Sequence, residues 1–175
     1  MIKYAIYDYI PQRKLRRASF ETQDLSRMIL MFKNGRKAAT SWAVRVFRTA
    51  MSQLDLHDTI IVCVPASCQR TYIRRFRRFS KSLCQVCGAI DGFPFVSVEG
   101  KRDKAHIIKG EPSQRQLSNV TIDTAAVKGR KVVIIDDICT TCRTANIFIS
   151  MMQEAGADVK LALFLAKTKN YRDFH

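Results

Sequence analysis

The residues of this chain whose types and spacing could do chemistry lie between Val132 and Ala145, in the stretch VVIIDDICTTCRTA. Its first residues are too few for a surface helix and too β-branched for a loop, so they predict a buried strand. Asp136 and Asp137 follow at the expected end of that strand. Two carboxylates in such a place can accept hydrogen bonds from the vicinal hydroxyls of a sugar.

The small residues after the acids predict a phosphate-binding loop. A helical pattern follows them and ends at Gly156, so the loop should lie at a helix N-terminus. Backbone N–H groups in such a place favour a dianionic phosphate, and open α/β sheets bind ligands at the carboxyl ends of their strands. The candidate loop residues are Cys139, Thr140, Thr141, Cys142, Arg143 and Thr144.

The rest of the chain predicts the elements that would position these residues. IKYAIYDYI, TIIVCVP and VKLALFLAKT are typical of strands, and AATSWAVRVFRTAMSQL of a long helix. Strands that alternate with helices of crossover length predict an α/β fold, with a mainly parallel central sheet flanked by helices. We find no repeat and no break in composition, so a single domain over residues 1–175 is expected.

The charge of the chain favours polyanionic partners. Thirty Lys and Arg stand against 15 Asp and Glu, giving +15, which suits nucleic acid or a phosphorylated small molecule. The segment RTYIRRFRRFSK predicts a basic helix, for which a solvated face is the alternative to nucleic-acid contact. We expect an apolar face of Tyr72, Ile73, Phe76, Phe79 and Leu83, with Arg74, Arg75, Arg77, Arg78 and Lys81 on the other faces.

The N-terminus and the cysteines predict a cytoplasmic protein with reduced thiols. Charged residues interrupt the apolar N-terminal residues, unlike a secretory signal, and no apolar run approaches the roughly 20 residues that span a bilayer. The six cysteines are then expected to be thiols, metal ligands or core residues. Cys84 with Cys87, and Cys139 with Cys142, could hold Zn²⁺ if the pairs met, but burial is the favoured interpretation.

VVIIDDICTTCRTA resembles the phosphoribosyl pyrophosphate-binding motif of type I phosphoribosyltransferases. LMFKNGRKAATSWAVRVF and PSQRQLSNV resemble segments of the ComF-like, competence-associated members of that family. The resemblance implies the type I fold, with a small hood from about 1–25 and 88–120. It also implies that the protein binds phosphoribosyl pyrophosphate with Mg²⁺ and transfers the phosphoribosyl group to an acceptor that the sequence does not identify.

The resemblance further implies roles for individual residues. Asp136 and Asp137 would bind the ribose hydroxyls and stabilise the positive charge that develops as pyrophosphate leaves. Thr140, Thr141 and Thr144 would hold the 5-phosphate. The pyrophosphate would contact the turn after the second strand, through Ala66, Ser67 and Arg70, although Ser67 could instead be an ordinary helix N-cap.

Further features leave alternatives open. Lys101, Arg102, Lys104 and Lys109 would form either a lid over the pyrophosphate or a solvated loop.

Cys142 stands where the family loop usually has Gly, so its backbone is expected to be strained, and we expect a reactive thiol there. The alternative function is a non-catalytic ComF-like accessory protein in DNA uptake or nucleic-acid binding, or a sensor of the ligand; a homodimer is also left open.

Overall fold

Short apolar runs form the strands, as the sequence predicts. The structure is a computed structural model that describes residues 1–100 and 117–169. Within these residues the strands are β1 Ile2–Tyr9, β2 Thr59–Cys63, β3 Ile90–Asp91, β4 Val96–Val98, β5 Val120–Ile122, β6 Lys131–Cys139 and β7 Asp158–Thr168.

The central sheet has five strands in the order β1-β7-β6-β2-β3, and every neighbouring pair is parallel. This confirms the predicted α/β fold class. β1 lies at one edge of the sheet beside β7, so residues 2–9 belong to the sheet rather than to the expected hood. β4 and β5 form a separate antiparallel pair; β4 lies within the second segment assigned to the hood, and β5 begins at its last residue.

Helices connect the strands and cover the sheet. A π-helical turn at Ile73–Arg77 joins two of them into one continuous helix, and 3-10 turns occupy Gln12–Arg17 and Phe93–Phe95. None of the helices in the described ranges is long and apolar enough to cross a membrane. The α-helices are α1 Phe20–Lys33, α2 Lys37–Ala50, α3 Gln69–Tyr72, α4 Arg78–Cys87, α5 Thr124–Val127 and α6 Arg143–Glu154.

Aromatic contacts hold α1, α2 and α4 together. The Phe79 ring of α4 lies 4.9 Å from Phe32 of α1 and 5.4 Å from Phe47 of α2, and all three side chains are fully buried. α6 instead packs on β6 and β7, and it buries Phe148 and Met152. Because crossovers between parallel strands are right-handed, α6 lies on the face of the sheet opposite to α1, α2 and α4.

The strand order creates a crevice between β2 and β6. The chain leaves β2 toward β3 and leaves β6 in the opposite direction, toward β7. The carboxyl ends of these neighbouring strands are tied by a hydrogen bond from the Val64 amide to the Ile135 carbonyl, 2.8 Å long. Ligands of open α/β sheets bind at such a switch point, where helices diverge to both faces and leave the strand ends uncovered.

Gly35 fixes how the turn between α1 and α2 meets the basic helix. Its φ is +71°, and a Cβ added there would lie 2.6 Å from the Arg74 carbonyl oxygen. Gly35→Ala should therefore lower the free energy of unfolding by about 2–4 kcal/mol, from backbone strain plus overpacking. Urea denaturation measures this loss.

Gly129→Ala is the matched control for Gly35→Ala. Gly129 has the same φ of +71°, but no atom lies within 4 Å of the added Cβ. Gly129→Ala should lower the free energy of unfolding only by the cost of the backbone strain, about 1–2 kcal/mol. Equal losses in the two variants would contradict a steric role for Gly35.

Candidate functional site

The acidic pair lies inside β6 rather than at its end. β6 pairs with β7 as far as Cys139, but with β2 only as far as Ile135. Asp136 and Asp137 therefore occupy the part of the strand that has lost one neighbour, beside the crevice. The expectation that the strand ends before the acids is wrong, whereas their place at the carboxyl edge agrees with the prediction.

Asp137 is buried and forms an ion pair with Arg75. Its side chain is only 5% exposed, and its Oδ2 lies 2.8 Å from Nη1 of Arg75, whose side chain is 16% exposed. Its Oδ1 accepts a hydrogen bond from the Ile138 amide at 2.6 Å. Both carboxylate oxygens of Asp137 therefore already have partners within the protein. Asp137 binds Arg75 and is less available to a ligand in the crevice.

Asp136 is the other carboxyl at this edge. Its Oδ1 accepts the Asp137 amide at 2.8 Å. Burial, followed by the negative charge of Asp137, raises the pKa of Asp136 well above its ordinary value, although the positive charges of Arg75 and Lys33 act in the opposite direction. The fold therefore maintains a carboxyl here in an environment that disfavours its charge, which is common at functional sites.

Arg75 was predicted to lie away from the apolar face of its helix, and this prediction is wrong. The π-helical turn at Ile73–Arg77 changes the register of the helix, so Arg75 turns inward to Asp137. Ile73, predicted to be apolar core, is 38% exposed, while the other predicted apolar residues are buried. Arg75 lies three residues after Tyr72 and four before Phe79, a spacing that shares a helix face and could have identified it.

The rest of the basic helix lies as predicted. The side chains that remain on its outer surface form what we call the basic face. Its members are Arg74, Arg77, Arg78 and Lys81, all exposed.

The predicted phosphate loop joins β6 to α6. Thr140, Thr141 and Thr144 are exposed, and the Thr140 hydroxyl lies 3.0 Å from that of Thr168 at the end of β7. Cys142 is the N-cap of α6, and its side chain makes no capping hydrogen bond. The amides of the first helical turn are therefore not satisfied by their own N-cap side chain, as an anion site requires.

Cys142 has the left-handed backbone that the sequence predicts, with φ of 53°. Its sulfur is bonded to that of Cys139 in a disulfide, so the structure differs from the expected reactive thiol. Cys63, Cys84 and Cys87 are free thiols. Within residues 1–100 and 117–169, His, Cys, Asp and Glu form no group of three or more that could hold a metal ion.

Cys84 lies in the core, as expected of a buried cysteine. Its residue is 3% exposed, and burial is the main cause that raises its pKa to about 12. Burial likewise raises the pKa of Cys87, a half-buried residue. This pair of cysteines is therefore a pair of protonated thiols on α4.

The turn after β2 borders the other side of the crevice. Ala66 is buried, whereas Ser67 and Arg70 are exposed. Cys68 is the N-cap of α3, so the alternative assignment of Ser67 as the cap is wrong. Gln69 connects this turn to the second sheet, since its Oε1 accepts the Val98 amide of β4 at 3.2 Å.

The basic residues proposed for a lid, Lys101, Arg102, Lys104 and Lys109, lie outside the described residues.

A family model described as phosphoribosyl transferase domain matches residues 28–173 of the chain. The matched range contains β2, β6, the phosphate loop and Arg75. No curated protein matches the chain.

Several solved structures are similar to this chain. Adenine phosphoribosyltransferase from Saccharomyces cerevisiae is 19% identical, with 75% of this chain and 70% of that chain covered and a TM-score of 0.45. The enzyme from Thermoanaerobacter pseudethanolicus is 20% identical, with coverage of 75% and 70% and a TM-score of 0.48. A structure of the allosteric regulatory enzyme of purine biosynthesis is 15% identical, with coverage of 77% and 30% and a TM-score of 0.49.

Proposed function

The chain belongs to the phosphoribosyl transferase family, and from this premise we propose that the crevice between β2 and β6 binds phosphoribosyl pyrophosphate. The observation that carries the proposal is the placement of Asp136 and the phosphate loop together at the switch point of the sheet. A carboxyl and an uncapped helix N-terminus suit the sugar hydroxyls and the phosphate of such a ligand.

The phosphate loop would hold the 5-phosphate. Thr140, Thr141 and Thr144 are exposed hydroxyl donors at the start of α6, and Arg143 is an exposed cation beside them. The backbone amides of the first turn of α6 would add further donors, and the helix dipole favours a negative charge at this end.

Asp136 would contact the ribose. Its carboxyl can accept hydrogen bonds from the ring hydroxyls, while Arg75 keeps Asp137 directed into the protein. A carboxylate close to the ring would also stabilise the positive charge that develops there. Asp136 is thus the proposed catalytic residue of the pair, with Asp137 and Arg75 in supporting positions.

The turn after β2 would receive the pyrophosphate. Ser67 and Arg70 are exposed at its surface, and a hydroxyl with a guanidinium suits a polyanion. Ala66 would contribute through the backbone.

Mg²⁺ would enter with the pyrophosphate. The described residues fit this arrangement through Asp136 at the crevice, because Mg²⁺ prefers substrate oxygens and waters and needs few protein ligands. The ion would neutralise part of the pyrophosphate charge when bound.

The reaction we propose is transfer of the phosphoribosyl group. A nucleophilic atom of an acceptor would bond to C1 of the ribose, and the bond from C1 to the pyrophosphate oxygen would break. The motif segments that resemble ComF-like proteins suggest that branch of the family, without identifying the acceptor.

Calorimetric titration with phosphoribosyl pyrophosphate and Mg²⁺ tests the proposed site. We expect saturable binding near one ligand per chain, and weaker binding of ribose 5-phosphate because it lacks the pyrophosphate contacts. Absence of binding by phosphoribosyl pyrophosphate would contradict the proposal. Inorganic pyrophosphate alone serves as a further ligand in the same titration. If it bound as tightly as phosphoribosyl pyrophosphate, the result would contradict the roles of Asp136 and the phosphate loop.

The basic face supports nucleic-acid binding as a second candidate function. It lies in a segment, Ser67 to Ile90, without any acidic residue. If it binds single-stranded DNA, the logarithm of the affinity should fall linearly with that of the salt concentration, in proportion to the phosphates neutralised. The same titration repeated with an oligonucleotide decides this, since undetectable or salt-insensitive binding leaves a solvated helix face.

A further inference from the structure

The disulfide between Cys139 and Cys142 encloses the centre of the phosphate loop. Its two cysteines flank Thr140 and Thr141, and they join the last residue of β6 to the N-cap of α6. The loop threonines are therefore held in a small covalent ring. The described residues contain all six cysteines of the sequence, and none of the other four takes part in a disulfide.

The ring maintains a backbone conformation that its sequence disfavours. Cys142 has φ of 53°, and a left-handed backbone is unfavourable for a residue other than Gly. The bond to Cys139 restrains this conformation, which points the chain into α6. Without the bond, Thr140 and Thr141 would gain alternative conformations in which the phosphate donors are no longer aligned.

We infer that Cys139 and Cys142 form a reversible oxidation site that holds the phosphate loop in its binding conformation. Ligand affinity is then higher in the oxidised protein, because less conformational entropy is lost on binding. This consequence for affinity rests on the proposed function of the loop. The effect of the disulfide on the conformation of the loop does not depend on that function.

Reduction by a small dithiol proceeds through the more accessible sulfur. Cys142 is half-buried, whereas Cys139 is 3% exposed, so the attacking thiolate bonds to Sγ of Cys142. The bond between the cysteines breaks, and Cys139 leaves as a thiolate and takes a proton. The second thiolate of the reagent then attacks the reagent sulfur that is bonded to Cys142. This closes a cyclic disulfide in the reagent and releases Cys142 as a thiolate, which takes a proton. Two electrons and two protons pass to the protein.

The full-length chain is compared after treatment with oxidised glutathione and after treatment with excess dithiothreitol. Alkylation under denaturing conditions should label four cysteines in the oxidised protein and six in the reduced one. Amide hydrogen exchange at Arg143 and Thr144 should be faster in the reduced protein. The affinity for phosphoribosyl pyrophosphate should fall about five- to tenfold on reduction, the equivalent of roughly 1–1.4 kcal/mol.

Two variants separate this site from other thiol effects. Cys142→Gly tolerates the left-handed backbone and cannot form the bond, so its affinity should be the same under both treatments. Cys87→Ser, in the C-x-x-C pair of α4, removes a half-buried free thiol and should keep the full redox response.

The outcomes distinguish this inference from the proposed function. Six labelled cysteines after oxidation, or identical amide exchange in both states, would overturn the inference. A response of labelling and exchange without binding of phosphoribosyl pyrophosphate in either state would support the oxidation site and refute the proposed ligand. Binding of equal strength in both states would refute control of affinity by the disulfide.

Discussion

Asp136→Asn is expected to weaken binding of phosphoribosyl pyrophosphate by about 10- to 100-fold, the effect of leaving the sugar hydroxyls without their carboxyl partner. The amide keeps the size of the carboxyl, and its oxygen can still accept the Asp137 amide, so the fold should be retained. Calorimetric titration of the variant measures the loss.

The same substitution should stabilise the protein at neutral pH. The pKa of Asp136 is raised in the folded state, by burial and then by the charge of Asp137. The folded protein therefore holds this proton more tightly than the unfolded chain does, and the stabilisation from a protonated Asp136 is lost as the pH rises through the folded-state pKa. Asn does not titrate, so its free energy of unfolding has no such loss. Urea denaturation should therefore show the variant becoming more stable relative to the wild type as the pH rises from the ordinary pKa of Asp to the raised one.

Asp24→Asn is the matched control for Asp136→Asn. Asp24 is a half-exposed acid paired with Arg27 on α1, away from the crevice. It should leave both affinity and the pH dependence of stability unchanged. Unaltered affinity in Asp136→Asn would remove Asp136 from the site, and a stability gain in Asp24→Asn of the same size would show that the gain reflects net charge rather than burial.

Arg75→Leu is expected to lower the free energy of unfolding by about 3–5 kcal/mol, because it leaves Asp137 charged, buried and without its partner. Arg77→Leu, on the basic face of the same helix, is the control and should change stability by less than about 0.5 kcal/mol. Urea denaturation at constant pH measures both. A loss in Arg75→Leu no larger than in Arg77→Leu would contradict the importance of the ion pair.

The double variant Arg75→Leu with Asp137→Asn tests the pairing itself. Removing both charges avoids an unpaired buried ion, so most of the loss in Arg75→Leu should be recovered. Asp137→Asn alone should also destabilise the fold, since it leaves Arg75 without its anion. Joint replacement of both acids by Asn is therefore a poor test of ligand binding, and Asp136 has to be changed separately.

Much of this architecture could be predicted from the sequence because its signals are local. The apolar runs of β2, β6 and β7 are too β-branched for anything but strands, and alternation with helices determines a parallel sheet. The left-handed backbone of Cys142 was also predictable, because the family resemblance places a non-Gly residue at a Gly position. Each of these inferences depends on residues close together in the chain.

The features that the sequence did not predict depend on contacts between distant residues. Arg75 pairs with Asp137, a residue far away in the chain, and the helix that carries it contains a π-helical turn. The predicted apolar face took no account of that turn and included Ile73, which is exposed. The position of β1 at the sheet edge depends on pairing with β7, almost the whole chain away. The disulfide needs Cys139 and Cys142 to face one another, which cysteine spacing does not determine.

The part of β6 that lacks β2 as a neighbour also bears on self-association. An uncovered strand edge can accept a strand from another molecule and begin aggregation. Here the carboxyl of Asp136 accepts a hydrogen bond from the Asp137 amide, so this edge offers fewer donors to an incoming strand. The acid proposed to bind the sugar would thus also protect the ligand-free protein from strand addition, and replacement of Asp136 by a residue without an acceptor should expose this edge to aggregation during purification.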